Sequence, residues 1–206
     1  MEGKCMSIRP LTIEFTGLPN SGKTTLIHNL QKSLSTKGFS VKIMQEDAEL
    51  VPSEIPKLTW IRNVWITFGQ LQTLLECNYS NSDVILLDRG YYDALFWAKF
   101  LYLQKVCSQA ESETIINILN MLSASFKLKP DFLFVIDVSV EESLKRRYAM
   151  GSKPSIANHE FLTFYKSVLN DFIYSLPEPI RYVDTTTLSI EQVQNTVENL
   201  IFQIMK

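Results

Sequence analysis

At 206 residues, 46% hydrophobic and 20% charged, with a formal net charge of −2, the chain has the size and balance of one α/β domain with a sizeable core. That charge excludes the global basic field that nucleic-acid binding uses, and no run approaches the roughly eighteen consecutive apolar residues of a membrane span. Cys5, Cys77 and Cys107 are odd in number and form no CxxC pair, so neither a disulfide scaffold nor a zinc site is expected, and thiols in a reducing cytoplasm are.

Met1–Pro10 lacks the apolar core of a signal peptide and reads as a short tail. Leu11–Thr16 reads as a strand, alternating Leu11, Ile13 and Phe15 with Thr12, Glu14 and Thr16. A central parallel strand is apolar on both faces, so Glu14 is expected on a peripheral face of the sheet. Gly17-Leu18-Pro19-Asn20-Ser21-Gly22-Lys23-Thr24, followed by Thr25, fills every position of G-x-x-x-x-G-K-[ST]. It opens a helix to about Lys37, with Leu26, Ile27, Leu30 and Leu34 on one face and Gly38 suited to C′. Phe39–Met44 is half polar, a strand nearer an edge, and it ends at Gln45-Glu46-Asp47.

After a loop marked by Pro52 and Pro56, a helix is expected from about Lys57 to Cys77, with Trp60, Val64, Phe68, Leu71 and Leu75 on one stripe. Val84–Asp88 is a continuous apolar run ending in Asp, as in a buried parallel strand. Residues 91–104 are apolar nearly all round, a buried helix. Ser108 with Glu111 reads as a capping box before a helix that turns Ile115, Ile118, Leu119, Leu122 and Phe126 inward. Phe132–Asp137 is another buried strand, and Ser139 with Glu142 a second box opening a helix to about Tyr148. Ala149–Asn158 reads as a loop, His159–Ser175 as a helix and Ile180–Asp184 as a short strand. Ser189 with Gln192 is a third box, before a last helix lined by Ile190, Val193, Val197, Leu200, Ile201 and Ile204. Alternating strands and helices without linker or repeat predict one domain over 1–206: a five-stranded parallel sheet with helices on both faces.

The glycine-rich loop is built for a polyphosphate. Glycines let backbone N–H groups converge on one point, and the following helix adds its free N–H groups and the positive end of its dipole. Gly17, Asn20, Ser21, Gly22, Lys23, Thr24 and Thr25 are therefore candidate ATP-binding residues. Lys23 would reach the β- and γ-phosphates and the Thr24 hydroxyl would ligate Mg²⁺. Asp88, ending an apolar strand, would support the same Mg²⁺, and Arg89 would point into the cleft toward a phosphate or a ribose-bearing acceptor. Lys145, Arg146 and Arg147, with Lys153 beyond, suit a lid over about 145–158 whose arginine neutralises charge on the transferring phosphoryl group. The sequence does not choose between Arg146 and Arg147. Glu46, with Asp47 beside it, could take the proton of a hydroxyl acceptor. The aromatics of 60–72, with Arg62, Gln70 and Gln72, could read a base, although an aromatic stripe more often serves a core. His28 and His159 lack ligand-spaced partners.

Together these segments resemble the thymidylate kinase-like group of P-loop nucleoside and nucleotide kinases, over nearly the full chain. His159-Glu160-Phe161-Leu162 with Tyr165 is similar to the helix after their lid. Val183-Asp184-Thr185-Thr186 is similar to the loop they place beside adenine, which implies Thr185 and Thr186 as further ATP-binding residues. Gln45–Glu49 stands where thymidylate kinases carry an Arg-Glu-Pro-Gly-Gly-Thr type segment. A carboxylate after the second strand instead resembles deoxynucleoside kinases, where a Glu acts as base, and Trp65–Gln70 resembles their base-reading helix, one residue out of step. The resemblance implies the three-layer P-loop fold and a cytoplasmic kinase that uses ATP and Mg²⁺ on a small nucleoside- or nucleotide-type acceptor. It implies no nucleic-acid or membrane partner, and homodimer formation is left open. The alternative is a P-loop regulatory ATPase or switch without a small-molecule acceptor. A GTPase is excluded by the lack of an Asn/Thr-Lys-x-Asp motif.

Overall fold

The computed structural model describes residues 9–45, 48, 50–151, 158–177 and 180–205. Five parallel strands lie in the order β2-β3-β1-β4-β5: β1 (Leu11–Thr16), β2 (Val41–Met44), β3 (Val84–Asp88), β4 (Phe132–Asp137) and β5 (Ile180–Asp184). The helices are α1 (Lys23–Thr36), α2 (Trp60–Cys77), α3 (Tyr91–Leu103), α4 (Gln109–Phe126), α5 (Val140–Ala149), α6 (His159–Tyr174) and α7 (Ile190–Ile204). This is the expected α/β architecture, and each strand lies within its expected stretch, although β2 starts at Val41 rather than Phe39.

Side-chain alternation divides the core into two layers. Ile13, Phe15, Leu86, Phe134 and Ile136 face α1 and α7 and pack with Leu26, Ile27, Leu30, Val197 and Ile201 of those helices. Ile85, Leu87, Leu133 and Val135 face the other way, into a core shared with α2, α3, α4 and α6. An aromatic cluster of Phe96, Trp97 and Phe100 from α3 with Phe161 and Tyr165 from α6 knits that second layer together.

The expectation for Glu14 is corrected. β1 is the central strand, and Glu14 is fully buried on the face toward α3. That face of β1 is polar throughout, and each residue finds a partner. Thr12 donates from its backbone N and its hydroxyl to Asp131, both at 2.7 Å. The Thr16 hydroxyl donates to Asp93 at 3.2 Å. Glu14 accepts the backbone N–H groups of Tyr92 at 3.1 Å and Asp93 at 2.8 Å. These are orphan donors of the first turn of α3, whose N-cap, Gly90, offers no side chain. A strand carboxylate therefore caps a helix from below, which is why a central strand tolerates it.

Three smaller expectations also change. The inward face of α2 is Asn63, Thr67, Gln70, Leu71, Leu74 and Cys77, whereas Phe68 and Leu75 are exposed. Phe126 ends α4 exposed. The boxes at Ser108 and Ser189 are reciprocal, but Glu142 does not reach back to Ser139; it binds Lys145 and Arg146 instead.

Burial pushes Glu14 from 4.5 up to about 8, against the downward pull of its two N–H donors. Between those values the native state holds a proton that the unfolded chain has lost, so stability falls as pH rises. The thermal midpoint of the wild-type protein should therefore decline between about pH 5 and pH 8 more steeply than that of Glu14→Gln, followed by scanning fluorimetry. Parallel curves would show that Glu14 does not titrate in that range.

Candidate active site

β1 delivers the chain to Gly17 so close to β4 that a Cβ there would lie 2.1 Å from the Ile136 carbonyl oxygen. With φ at +141°, no residue with a side chain fits. The loop turns through Asn20 at φ 58° and Gly22 at φ 94°, and Gly22 is the N-cap of α1 without a side-chain cap of its own. The first N–H groups of α1 are thus left facing the loop, the arrangement that receives anions. Lys23 is buried and folds back over the loop, its Nζ donating to the Leu18 carbonyl at 2.9 Å and the Gly17 carbonyl at 3.3 Å. Ser21 is buried with its hydroxyl 3.4 Å from the same ammonium. Thr25, like Thr24, is exposed at the start of α1.

The loop is held from behind. Ser143 of α5, fully buried, donates its hydroxyl to the Pro19 carbonyl at 2.8 Å. The Ser21 carbonyl accepts from Thr185 Oγ1 at 3.2 Å and Arg146 Nη1 at 3.3 Å. Thr185 also donates through its N and Oγ1 to the Asp137 carbonyl, each at 2.9 Å. Thr186 stabilises the turn after β5, bonding Asp184 and accepting from the Ser139 N–H at 2.9 Å.

Arg146 and Arg147, near the end of α5, differ; residues 152–157 of the expected lid lie outside the described residues. Arg146 donates to Glu142, to the Thr185 carbonyl at 2.6 Å and to the loop, so its guanidinium braces backbone carbonyls. Arg147 is buried on the inner side of α5. Lys153 and Glu46 lie outside the described residues.

The Thr24 hydroxyl donates to Asp88 Oδ2 at 2.5 Å, while Asp88 Oδ1 is buried with no hydrogen-bond partner among the described residues. Two hard oxygens beside a phosphate loop, one with its lone pairs unmet, fit Mg²⁺, which takes one or two protein oxygens and keeps the rest of its shell for water and phosphate. No set of three or more His, Cys, Asp or Glu ligands exists among the described residues, so an all-protein metal cage is not what this site offers.

Arg89 follows Asp88 in a left-handed conformation, φ 70°. Such backbone strain persists where surrounding contacts over-determine it. Its N–H donates to the Phe15 carbonyl at 3.1 Å, and its Nη1 donates to Asp93 Oδ1 at 2.6 Å and to the Tyr165 hydroxyl at 3.3 Å. On α2, Asn63, Thr67 and Gln70 are spaced along one helical face and all are buried. Asn63 Nδ2, Thr67 Oγ1 and Gln70 Oε1 have no partner among the described residues. Sequence reasoning reached Gln70 but missed Asn63, Thr67 and Asp93. The signal for Asp93 was its i+4 spacing from Arg89 at the opening of a helix.

The fold is shared with a solved nucleoside kinase. It matches deoxyadenosine kinase from M. mycoides with dCMP and dCDP bound, at a TM-score of 0.75 and 17% identity over 93% of this chain and 99% of that one. The same enzyme with dATP gives 0.74 and 18% over the same shares. In sequence the chain is similar to thymidylate kinases. It is 25% identical to that of Prosthecochloris aestuarii over 84% of this chain and 85% of the relative. It is 28% identical to that of Mycoplasmopsis pulmonis over 81% and 76%, and 26% to a probable thymidylate kinase of Sulfurisphaera tokodaii over 66% and 68%. Residues 10–92 also match the family model described as chromatin associated protein KTI12.

Asp88→Asn keeps a hydrogen-bonding side chain for Thr24 but removes the anionic oxygen. By calorimetry, ATP binding in EDTA should stay within about threefold of wild type, while the added affinity given by Mg²⁺ should fall about tenfold or more. An unchanged Mg²⁺ dependence would count against Asp88 as a Mg²⁺ ligand.

Proposed function

We propose that the protein is an ATP-dependent phosphotransferase that moves the γ-phosphoryl group of ATP-Mg²⁺ to a phosphate or hydroxyl oxygen of a nucleoside, nucleotide or related small metabolite. The observation that carries this reading is the association of two half-sites. A phosphate loop with Lys23 folded over it and a Thr24–Asp88 pair holding one unmet oxygen adjoins Arg89, on the residue after Asp88.

In this reading the loop N–H groups, Lys23 and the start of α1 bind the donor phosphates, and Thr185 and Thr186 border the adenine. Mg²⁺ on Thr24 and Asp88 would neutralise charge on the phosphates. Phosphoryl transfer asks for positioning and charge neutralisation more than covalent help. Arg89, held by Asp93 and Tyr165, orients the acceptor, and the unmet polar atoms of Asn63, Thr67 and Gln70 bind its neutral part. Arg146 is assigned to bracing the loop, whose carbonyls its donors engage, and the transferring group is given to Arg147, buried on the inner side of α5. Glu46 serves as base where the acceptor is a hydroxyl.

We assign residues 1–206 to one kinase domain with a lid about 145–158. The free thiols at Cys77 and Cys107 suit a reducing cytoplasm. A homodimer paired through α2 fits the exposure of Ile61, Phe68 and Leu75 at heptad spacing. The alternative reading is a P-loop regulatory ATPase or switch without a small-molecule acceptor.

ADP release from ATP-Mg²⁺ should depend on an acceptor when nucleosides and nucleoside monophosphates are supplied as a panel, and Lys23→Ala should reduce it at least about a hundredfold. Hydrolysis indifferent to every acceptor would favour the regulatory reading, and full activity in Lys23→Ala would remove the loop from catalysis. With the preferred acceptor in hand, Gln70→Leu should raise its KM about tenfold and leave the KM for ATP within about twofold. Equal changes in both constants would argue that Gln70 does not touch the acceptor.

A further inference from the structure

The kinase reading leaves Glu14 without a task. It is the one carboxylate of the central strand, it is fully buried, and it sits on the segment that leads into the phosphate loop. Its two oxygens are divided between two consecutive backbone donors: Oε2 accepts from Tyr92 N at 3.1 Å and Oε1 from Asp93 N at 2.8 Å. A bidentate hold on the first turn of a helix fixes both its height and its rotation relative to the strand beneath. What that turn carries is Asp93, whose Oδ1 holds Arg89 Nη1 at 2.6 Å and accepts the Thr16 hydroxyl at 3.2 Å. Thr16 is the residue immediately before Gly17. Two alternate positions of β1, Glu14 and Thr16, thus grip one residue of α3, and that residue grips Arg89.

Gly90 completes the arrangement. Its φ of 178° is extended backbone open to any residue, so conformation does not demand glycine here. Space is what is tight: a Cβ at Gly90 would lie 3.0 Å from Glu14 Oε2, 3.2 Å from Glu14 Cδ and 3.3 Å from Leu87 Cδ1. The bare α-carbon is what lets the carboxylate reach the N–H groups.

We propose that Glu14 is a positioning residue: by docking the first turn of α3 on β1 it sets where Asp93 holds Arg89 relative to the phosphate loop, and hence the alignment of acceptor with donor. The assignment of Arg89 to the acceptor rests on the kinase reading, but the mechanical link from Glu14 to Arg89 does not. Among the described residues, the charged groups facing Glu14 are Asp93 of α3 and Arg89 of the turn before it. A change in the charge of Glu14 is therefore transmitted to the Arg89–Asp93 pair.

The test compares wild type with Glu14→Gln and Gly90→Ala. Gln is nearly isosteric, but its NH₂ opposes one of the two helix N–H groups. The alanine methyl displaces the carboxylate without removing it. Two readouts are used: the Arg89 side-chain Nε–H resonance, assigned through its loss in Arg89→Lys, and the kinetic constants of the kinase assay. Both variants should move the Arg89 resonance, and its change with pH in wild type should vanish in Glu14→Gln. Both should raise the acceptor KM about tenfold while the KM for ATP stays within about twofold. In a Glu14→Ala background, Gly90→Ala should add clearly less than it costs alone, because only its contact with Leu87 Cδ1, at 3.3 Å, remains. An Arg89 resonance unchanged in both variants overturns the inference, and so does a loss shared equally between the two KM values. A wild-type protein that phosphorylates no acceptor would defeat the kinase reading, yet the resonance would still decide whether Glu14 governs Arg89.

Discussion

The site depends first on where two carbonyl groups point. Within the phosphate loop, the Pro19 and Ser21 carbonyls are drawn backward by Ser143, Arg146 and Thr185. A trans peptide places the N–H of the next residue on the opposite side from its carbonyl. Pulling those oxygens toward α5 and the β5 turn therefore turns the N–H groups of Asn20 and Gly22 the other way, toward the anion side of the loop. The convergence of donors that glycine permits is here enforced by side chains outside the loop. α5 thus shapes the glycine-rich loop through Ser143 on its buried inner face and through Arg146.

The second constraint is the polar face of β1. Three polar residues on a central strand would each leave an unmet donor or acceptor, at about 1–3 kcal/mol apiece, if the facing layer were apolar. The structure meets each with a specific group: Asp131 for Thr12, helix N–H groups for Glu14, Asp93 for Thr16. The result is a register lock. Apolar packing alone tolerates a helix sliding along a sheet, whereas hydrogen bonds of fixed length do not. β1 joins the glycine-rich loop at its end to α3 along its side, so loop and helix share one rigid reference.

Much of this was legible from residues alone, and the reasons are physical. The loop, α1 and the apolar strands ending in Asp88 and Asp137 carry strong periodicity and local dihedral demands, and they fall where expected. The capping residues Ser108, Ser139 and Ser189 announced helix starts because N-caps are local chemistry. What was hidden is non-local. Glu14 looked peripheral because its partners come from a helix 78 and 79 residues away. The inner face of α2 was misjudged because large aromatics outweigh Asn63 and Thr67 in any hydrophobic pattern, yet those polar residues face inward and Phe68 faces out. Arg146 and Arg147 were indistinguishable as neighbours in sequence and separate only once Arg146 is seen on the Thr185 carbonyl.

The polar stripe of α2 carries a consequence for the life of the protein in a cell. Buried Asn63, Thr67 and Gln70 each hold an atom with no partner among the described residues, and each such group costs about 1–3 kcal/mol in a fold whose whole margin is about 5–15 kcal/mol. Where these atoms bind the acceptor, as proposed, selectivity stored as unmet hydrogen bonds is also stored fragility. A molecule that satisfies the stripe lowers the unfolded fraction that proteases sample, so the lifetime of the chain, and with it its abundance, would follow the supply of that molecule.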